Sequence, residues 1–176
     1  MTNEQDQLTE IEGAILSEIE HRGNATAFKV RRAFQLSPSI EWSGSAGSVY
    51  PAVKRLIARG FILANATGDG RSTKTLSLSG VGKAALHARA LASDRATSVG
   101  IDPFRLRAGI WMTFEPDERR RVMEQIRASL CENISFLEQE IEAADSVEAT
   151  RLGLNLRLHQ DRIDWLDEAL AKALRG

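Results

Sequence analysis

Cysteine is almost absent from this chain of 176 residues: Cys131 stands alone, which excludes an internal disulfide and any zinc or iron–sulfur site built from several thiolates. It falls inside a helical pattern, where a quiet, partly buried thiol is the expected state. No apolar run approaches the roughly 20 residues of a membrane-spanning helix. The opening residues Met-Thr-Asn-Glu-Gln-Asp-Gln are polar and acidic, unlike a signal peptide. A cytoplasmic protein with no membrane partner is therefore expected. The serines sit in no nucleophile motif, no glycine-rich phosphate loop follows a strand, and no cluster has metal-ligand spacing. Neither an enzyme, nor a metal, nor a cofactor is expected.

Acidic side chains are scarce between His21 and Ala92. Eleven Lys or Arg stand there against only Glu41 and Asp69, a charge of +9 inside a chain whose total is −1. The first twenty residues carry six acids and no base, and Ser93 to Gly176 holds sixteen acids against twelve bases. A basic module between acidic segments is the electrostatic footprint of nucleic-acid binding, because it attracts phosphate while the whole chain stays near neutral.

Periodicity divides the chain. Thr9-Glu10-Ile11-Glu12 has the form of a capping box, and Ile11, Ile15 and Ile19 continue a helical stripe to about Glu20. Thr26 can cap a second helix that buries Ala27, Val30 and Phe34 and exposes Lys29, Arg31 and Arg32. After Ser37-Pro38-Ser39 and a link containing Trp42 comes a third helix, with Ser48 favoured as its N-cap and Pro51 in its first turn. Val49, Val53, Leu56 and Ile57 share its inner face, and Ser48, Lys54, Arg55 and Ala58 its outer one. Gly60 stops it. Phe61 to Ala66 reads as a strand, Thr67-Gly68-Asp69-Gly70 as a tight turn, and Thr73 to Ser79 as the returning strand. Three helices and a two-stranded hairpin make the plan of a winged helix, whose third helix enters the major groove while the wing touches the backbone or the minor groove.

Beyond Ser79 a fourth, alanine-rich helix is expected to about Thr97, broken by Gly100-Ile101. Asp102 and Pro103 open a short apolar helix to about Met112, in the favoured N-cap and N1 positions. Pro116-Asp117-Glu118 opens a longer one with the stripe Val122, Ile126, Leu130, Leu137 and Ile141. Asp145-Ser146-Val147-Glu148 is a further capping box, and Leu152, Leu156, Ile163, Leu166 and Leu170 run down the last helix at near-heptad spacing. This stripe is the expected dimer interface, an intramolecular hairpin being the other use of the same residues. The expected fold is thus mainly α: a winged helix-turn-helix over 1–79, a connecting helix over 80–99, and a C-terminal helical dimerisation or effector region over 100–176.

With these residues in place, the chain resembles the PadR family of bacterial transcriptional regulators. Gly47-Ser48-Val49-Tyr50-Pro51-Ala52-Val53-Lys54-Arg55-Leu56, then Gly60-Phe61-Ile62, is similar to that family's helix-three signature nearly residue for residue. Leu78-Ser79 through Gly82-Lys83 is similar to its junction into helix four. The resemblance covers residues 8 to about 90 well and the C-terminal helices loosely. Thr75-Leu76 stands where the family often has two tyrosines, and Ala27-Phe28 where it often has Gly-Tyr. The resemblance implies a homodimer with a winged helix in each subunit, usually a repressor, released in some members by a small hydrophobic effector.

The candidate DNA-binding residues are Ser48, Tyr50, Lys54 and Arg55 on the third helix, Lys29 and Arg32 on the second, and Arg71 and Lys74 in the wing. The expected partner is double-stranded promoter or operator DNA; the alternative is a winged helix serving as a protein-interaction module. Trp111 and Trp165, with His159 on the last helix, are candidates for an effector pocket, and ordinary core packing is the other reading of both tryptophans. Asp161, Asp164, Asp167 and Glu168 read as a solvated helix side rather than a cation site.

Overall fold

A computed structural model describes residues 8–23, 25–37, 40–66, 74–97 and 102–173. The chain forms two compact units, residues 1–98 and 99–176.

In the first unit, α1 (Glu10–Arg22) opens with the expected capping box. Thr9 Oγ1 accepts from the Glu12 amide at 3.3 Å, and the Glu12 carboxylate accepts from the Thr9 amide at 3.1 Å. The helix runs two residues past Glu20. Thr26 caps α2 (Ala27–Gln35) by accepting from the Lys29 amide at 3.2 Å. The next segment, expected as a link, is helical: α3 (Ile40–Gly44) and a 3-10 turn (Ser45–Ser48) run straight into α4 (Val49–Ala58). Ser48 therefore has helical backbone angles (φ −84°, ψ −8°) and makes no capping bond, contrary to its expected role. Trp42 packs edge-on against Phe34, centroids 5.4 Å apart, which gives α3 an apolar anchor.

The C-terminus of α4 is set by Gly60, whose φ of +75° lies in the left-handed region. Its amide donates to Ile57 at 3.0 Å, and the Phe61 amide donates to Leu56 at 2.9 Å, the paired bonds of a Schellman motif. The chain then enters β2 (Ile62–Ala66) and β3 (Lys74–Leu78), which pair antiparallel with Ile62 opposite Leu78 and Ala66 opposite Lys74. The sheet has three strands where two were expected. β1 (Ala25–Thr26) pairs with the free edge of β3, Ala25 opposite Leu76, giving the order β1-β3-β2. The expected turn Thr67-Gly68-Asp69-Gly70, and Arg71 with it, lie outside the described residues.

Ile15, Leu16 and Ile19 of α1, Val30 and Phe34 of α2, Val49, Ala52, Val53 and Leu56 of α4, and Ile62, Leu76 and Leu78 of the sheet form one buried core. Each fully buried aliphatic side chain contributes roughly 1.5–3 kcal/mol, so the inner face of α4 holds the helix firmly to its unit. Ile57 does not join them; it is 37% exposed.

Ser79 caps α5 (Gly80–Ala90), its hydroxyl accepting from the Gly82 amide at 3.0 Å and donating to the Gly60 carbonyl at 2.6 Å. The Ser79 amide donates to the Phe61 carbonyl at 3.0 Å. A Cβ on Gly82 would lie 3.0 Å from the carbonyl carbon of Phe61 and closer still to its oxygen, so only glycine admits this approach of α5 to the start of β2. The single helix expected to Thr97 ends instead at Ala90, and α6 (Ser93–Ala96) is separate. Leu91 is 70% exposed, so burial of an apolar face does not carry the helix past Ala90.

In the second unit, Asp102 caps α7 (Pro103–Trp111) by accepting from the Phe104 amide at 2.9 Å. The long helices α8 (Pro116–Ala143) and α9 (Ser146–Ala173) form a hairpin. Asp145 caps α9, accepting from the Val147 and Glu148 amides at 2.9 and 3.0 Å. Trp111, Met123, Leu130 and Leu166 are the buried centre, with Phe104, Ile126, Ile163 and Leu170 packed around them. Phe104 meets Trp111 and Trp165 edge-on at 5.3 and 5.7 Å.

Within the chain, most of the expected dimer stripe serves the hairpin, while Leu156 is half-buried. Leu166 has no exposed surface, Leu152 is buried, and Ile163 and Leu170 pack in the intramolecular core. Near-heptad spacing reveals that a helix has a partner but not whether the partner belongs to the same chain. Large apolar side chains left outside on the two helices are Phe136, Val147, Leu154, Leu158 and Trp165.

Candidate nucleic-acid interface

With Val49, Ala52, Val53 and Leu56 turned inward, the end of the 3-10 turn exposes Ser48 and α4 exposes Tyr50, Pro51, Lys54, Arg55, Ile57 and Ala58. The surface near its N-terminus is small and hydroxylated, and two cations follow within one turn. That combination suits a helix entering the major groove, where bulk is excluded and donors meet base edges and phosphates. Tyr50 is 40% exposed, and the Arg31 guanidinium lies 5.8 Å from its ring centroid, so a cation of α2 rests against the aromatic edge of α4. Lys29 and Arg32 are exposed on α2, and Lys74 is exposed where β3 begins.

Arg55 is not a free cation. Its Nε donates to Glu12 Oε1 at 3.2 Å, and Arg59 Nη1 donates to Glu12 Oε2 at 3.3 Å. The Glu12 side chain is only 3% exposed, while those of Arg55 and Arg59 are 54% and 28% exposed. Burial by itself would raise the Glu12 pKa. The Thr9 amide, the Arg55 hydrogen bond and the charges of both arginines outweigh it and hold the carboxyl below its ordinary range. Arg59 also lies over the Phe61 ring, 4.8 Å from its centroid. Arg55 thus keeps its terminal nitrogens for an outside acceptor while Nε is tied to α1. Sequence reading missed Glu12 and Arg59 here. Arg59 was legible as the i+4 neighbour of Arg55; Glu12 was not, because the capping box already explained it and the partners are more than forty residues away.

Of the candidate effector residues Trp111 and Trp165 meet on Phe104, and Trp165 alone of the three lines a cleft. Trp111 is 5% exposed and belongs to the core. The His159 Nδ1 lies 2.8 Å from the carbonyl of Asn155 on its own helix, and the ring donates there. Trp165, 39% exposed, does line an open cleft of about 350 Å³ together with Met112, Arg119, Met123, Glu168, Ala169 and Lys172. Three of the four acids on this side of α9 face cations: Asp167 makes two bonds to Arg127 of α8, at 2.6 and 3.2 Å, Asp161 faces Arg157 at 3.3 Å, and Glu168 faces Lys172 at 3.9 Å. The Arg127 hydrogen bonds hold the Asp167 carboxyl below its ordinary range and raise the guanidinium in turn. Among the described residues no three His, Cys, Asp or Glu side chains gather as a metal site, and no helix is long and apolar enough to cross a membrane.

Helices α1, α2 and α4 with the sheet form a winged helix-turn-helix unit, and a helical C-terminal unit follows it. No protein-family model matches the chain, and no curated protein sequence matches it. Solved structures do match, among them PadR and PadR-like transcriptional regulators. Bacillus subtilis PadR in complex with operator DNA is 21% identical, with a TM-score of 0.76 over 94% of this chain and 99% of that one. The same protein in complex with p-coumaric acid is 19% identical, with a TM-score of 0.72 over 95% of this chain and 98% of that one. The Vibrio cholerae virulence activator AphA is 18% identical, with a TM-score of 0.68 over 93% of this chain and 97% of that one. At these identities the likeness defines the fold, and it is the fold of the group that the helix-three residues resemble.

Proposed function

We infer that this protein is a sequence-specific DNA-binding transcriptional regulator of the PadR type, a repressor acting as a homodimer on a two-fold operator. The observation that carries this reading is the outer surface of α4, where Ser48, Tyr50, Lys54 and Arg55 are exposed on a helix whose opposite face is anchored in the core. Lys29 and Arg32 extend the cationic surface and take phosphates, and Lys74 with Arg71 serves the wing. The operator complex of the B. subtilis neighbour supports the same use of the fold.

The dimer contact draws on apolar side chains that the intramolecular core leaves outside, Phe136 on α8 and Leu154 and Leu158 on α9. A small hydrophobic effector releases the protein from DNA, a role supported by the p-coumaric acid complex of the same neighbour. Selection of bound fragments from the source genome by the purified protein tests the reading. One promoter-proximal site should emerge, with half-sites separated by about one helical turn, roughly 34–36 Å, or a multiple of it. Recovery of no enriched fragment, or binding that does not weaken with salt, would overturn it.

A further inference from the structure

We propose that Glu12 is a positioning residue for DNA recognition: it holds the Arg55 guanidinium by its Nε, so that both terminal nitrogens meet a paired acceptor on a base edge. The inference deepens the DNA-binding reading above and rests on it. Glu12 does not itself reach DNA, because its side chain is only 3% exposed. Two donors meet on one of its oxygens: the Thr9 amide reaches Oε2 at 3.1 Å and Arg59 Nη1 reaches it at 3.3 Å. Arg59 is steadied in turn by the Phe61 ring, 4.8 Å away. The carboxylate is thereby turned so that Oε1 is left for Arg55 Nε, at 3.2 Å.

Among the described residues the terminal nitrogens of Arg55 have no partner, and its side chain is 54% exposed. A guanidinium held at Nε offers those two nitrogens end-on, the arrangement that matches the O6 and N7 acceptors of a guanine. A surface arginine gives up rotamer freedom when it docks, and Arg55 has given up part of it beforehand. Lys54, the preceding residue, is exposed, and its ammonium has no partner among the described residues. Lys54 therefore contributes charge, and Arg55 contributes sequence preference. For charge alone Glu12 is a liability, since it offsets cations on the helix that faces DNA. Its value lies in the direction it gives to Arg55.

The test measures binding of the full-length protein, by fluorescence anisotropy, to the duplex enriched from the source genome and to a scrambled duplex of the same composition. Glu12→Gln should narrow the preference between them about five-fold, by weaker binding to the first and equal or tighter binding to the second. Loss of folded protein would weaken both alike, so the split separates positioning from stability. Arg55→Lys should narrow the preference as much while still binding the scrambled duplex, since one ammonium cannot serve Glu12 and a base edge together. In an Arg55→Ala background, Glu12→Gln should change the preference by less than about two-fold. Without DNA, the Arg55 Nε–H signal in heteronuclear NMR should be resolved and slow to exchange in the native protein and lost in Glu12→Gln. An unchanged preference in Glu12→Gln, equal weakening on both duplexes, or an averaged Arg55 signal in the native protein overturns the proposal and leaves the DNA-binding reading standing. A native protein with no preference between the duplexes overturns that reading, and the positioning role with it, even where the Arg55 signal is intact.

Discussion

Replacing Glu12 by Gln probes the joint between α1 and the recognition helix. The carboxylate receives three donors at 3.1, 3.2 and 3.3 Å from Thr9, Arg55 and Arg59, and its side chain is 3% exposed. Glutamine keeps the volume but offers one acceptor oxygen and turns an amide N–H toward a guanidinium. A hydrogen bond to a charged group contributes roughly 1.5–3 kcal/mol. The two arginines are 54% and 28% exposed, so each recovers much of its hydration when released, which lowers the cost. The expected loss is about 2 kcal/mol at pH 7, seen as an increase of up to about thirty-fold in hydrogen exchange of the most protected α1 and α4 amides. The pH dependence carries the same logic. The folded pKa of Glu12 lies below the ordinary 4.5, so its stabilisation is complete above that value and is lost as pH falls through the lower folded one. The gap between the native protein and Glu12→Gln should therefore close on acidification below about pH 4.5. A gap under about 0.5 kcal/mol at pH 7, or one that persists undiminished at low pH, would refute the assignment.

Four further outcomes are expected. Lys54→Ala should weaken DNA binding similarly across sequences and reduce the slope of log K against log salt by about 0.9, measured by titration over a salt series. Gly82→Ala should destabilise the N-terminal unit by about 1–3 kcal/mol in urea unfolding, because its Cβ meets the Phe61 carbonyl and not a yielding side chain. Leu166→Ala should cost about 2–5 kcal/mol in the C-terminal unit, as expected for a fully buried leucine. Leu154→Glu, at a position 70% exposed, should leave helix content unchanged by circular dichroism and convert a dimer to a monomer by light scattering.

Local signals were strong enough to be read without the fold. The expected capping residues Thr9, Thr26, Asp102 and Asp145 all cap in the structure, because a side-chain oxygen accepts from amides only two or three residues away. The inner face of α4 was legible from Val49, Val53 and Leu56, and so was its outer face, since a helix of known phase places both at once. Gly60 announced the end of α4 because glycine adopts the positive φ of a helix C-terminus without the steric cost a Cβ brings. Where local rules met a competing context they failed: Ser48 lost its cap because the preceding residues are already helical, and the alanine-rich stretch after Ser79 broke at Leu91.

The amino-acid pattern therefore determined most of the helices and the two strands of the hairpin, the apolar side of α4, and that the basic charge collects on one module, all properties of neighbours within a turn or two. Tertiary structure decided which surfaces meet. It added β1 to the sheet by pairing Ala25 with Leu76, across some fifty residues, from a strand too short to show alternation. It turned the stripe of Leu166 inward onto α8. It tied Arg55 and Arg59 to Glu12, making part of the expected DNA-binding charge a joint of the fold. Contacts between residues far apart in the chain have no period to read, because each depends on how the elements pack.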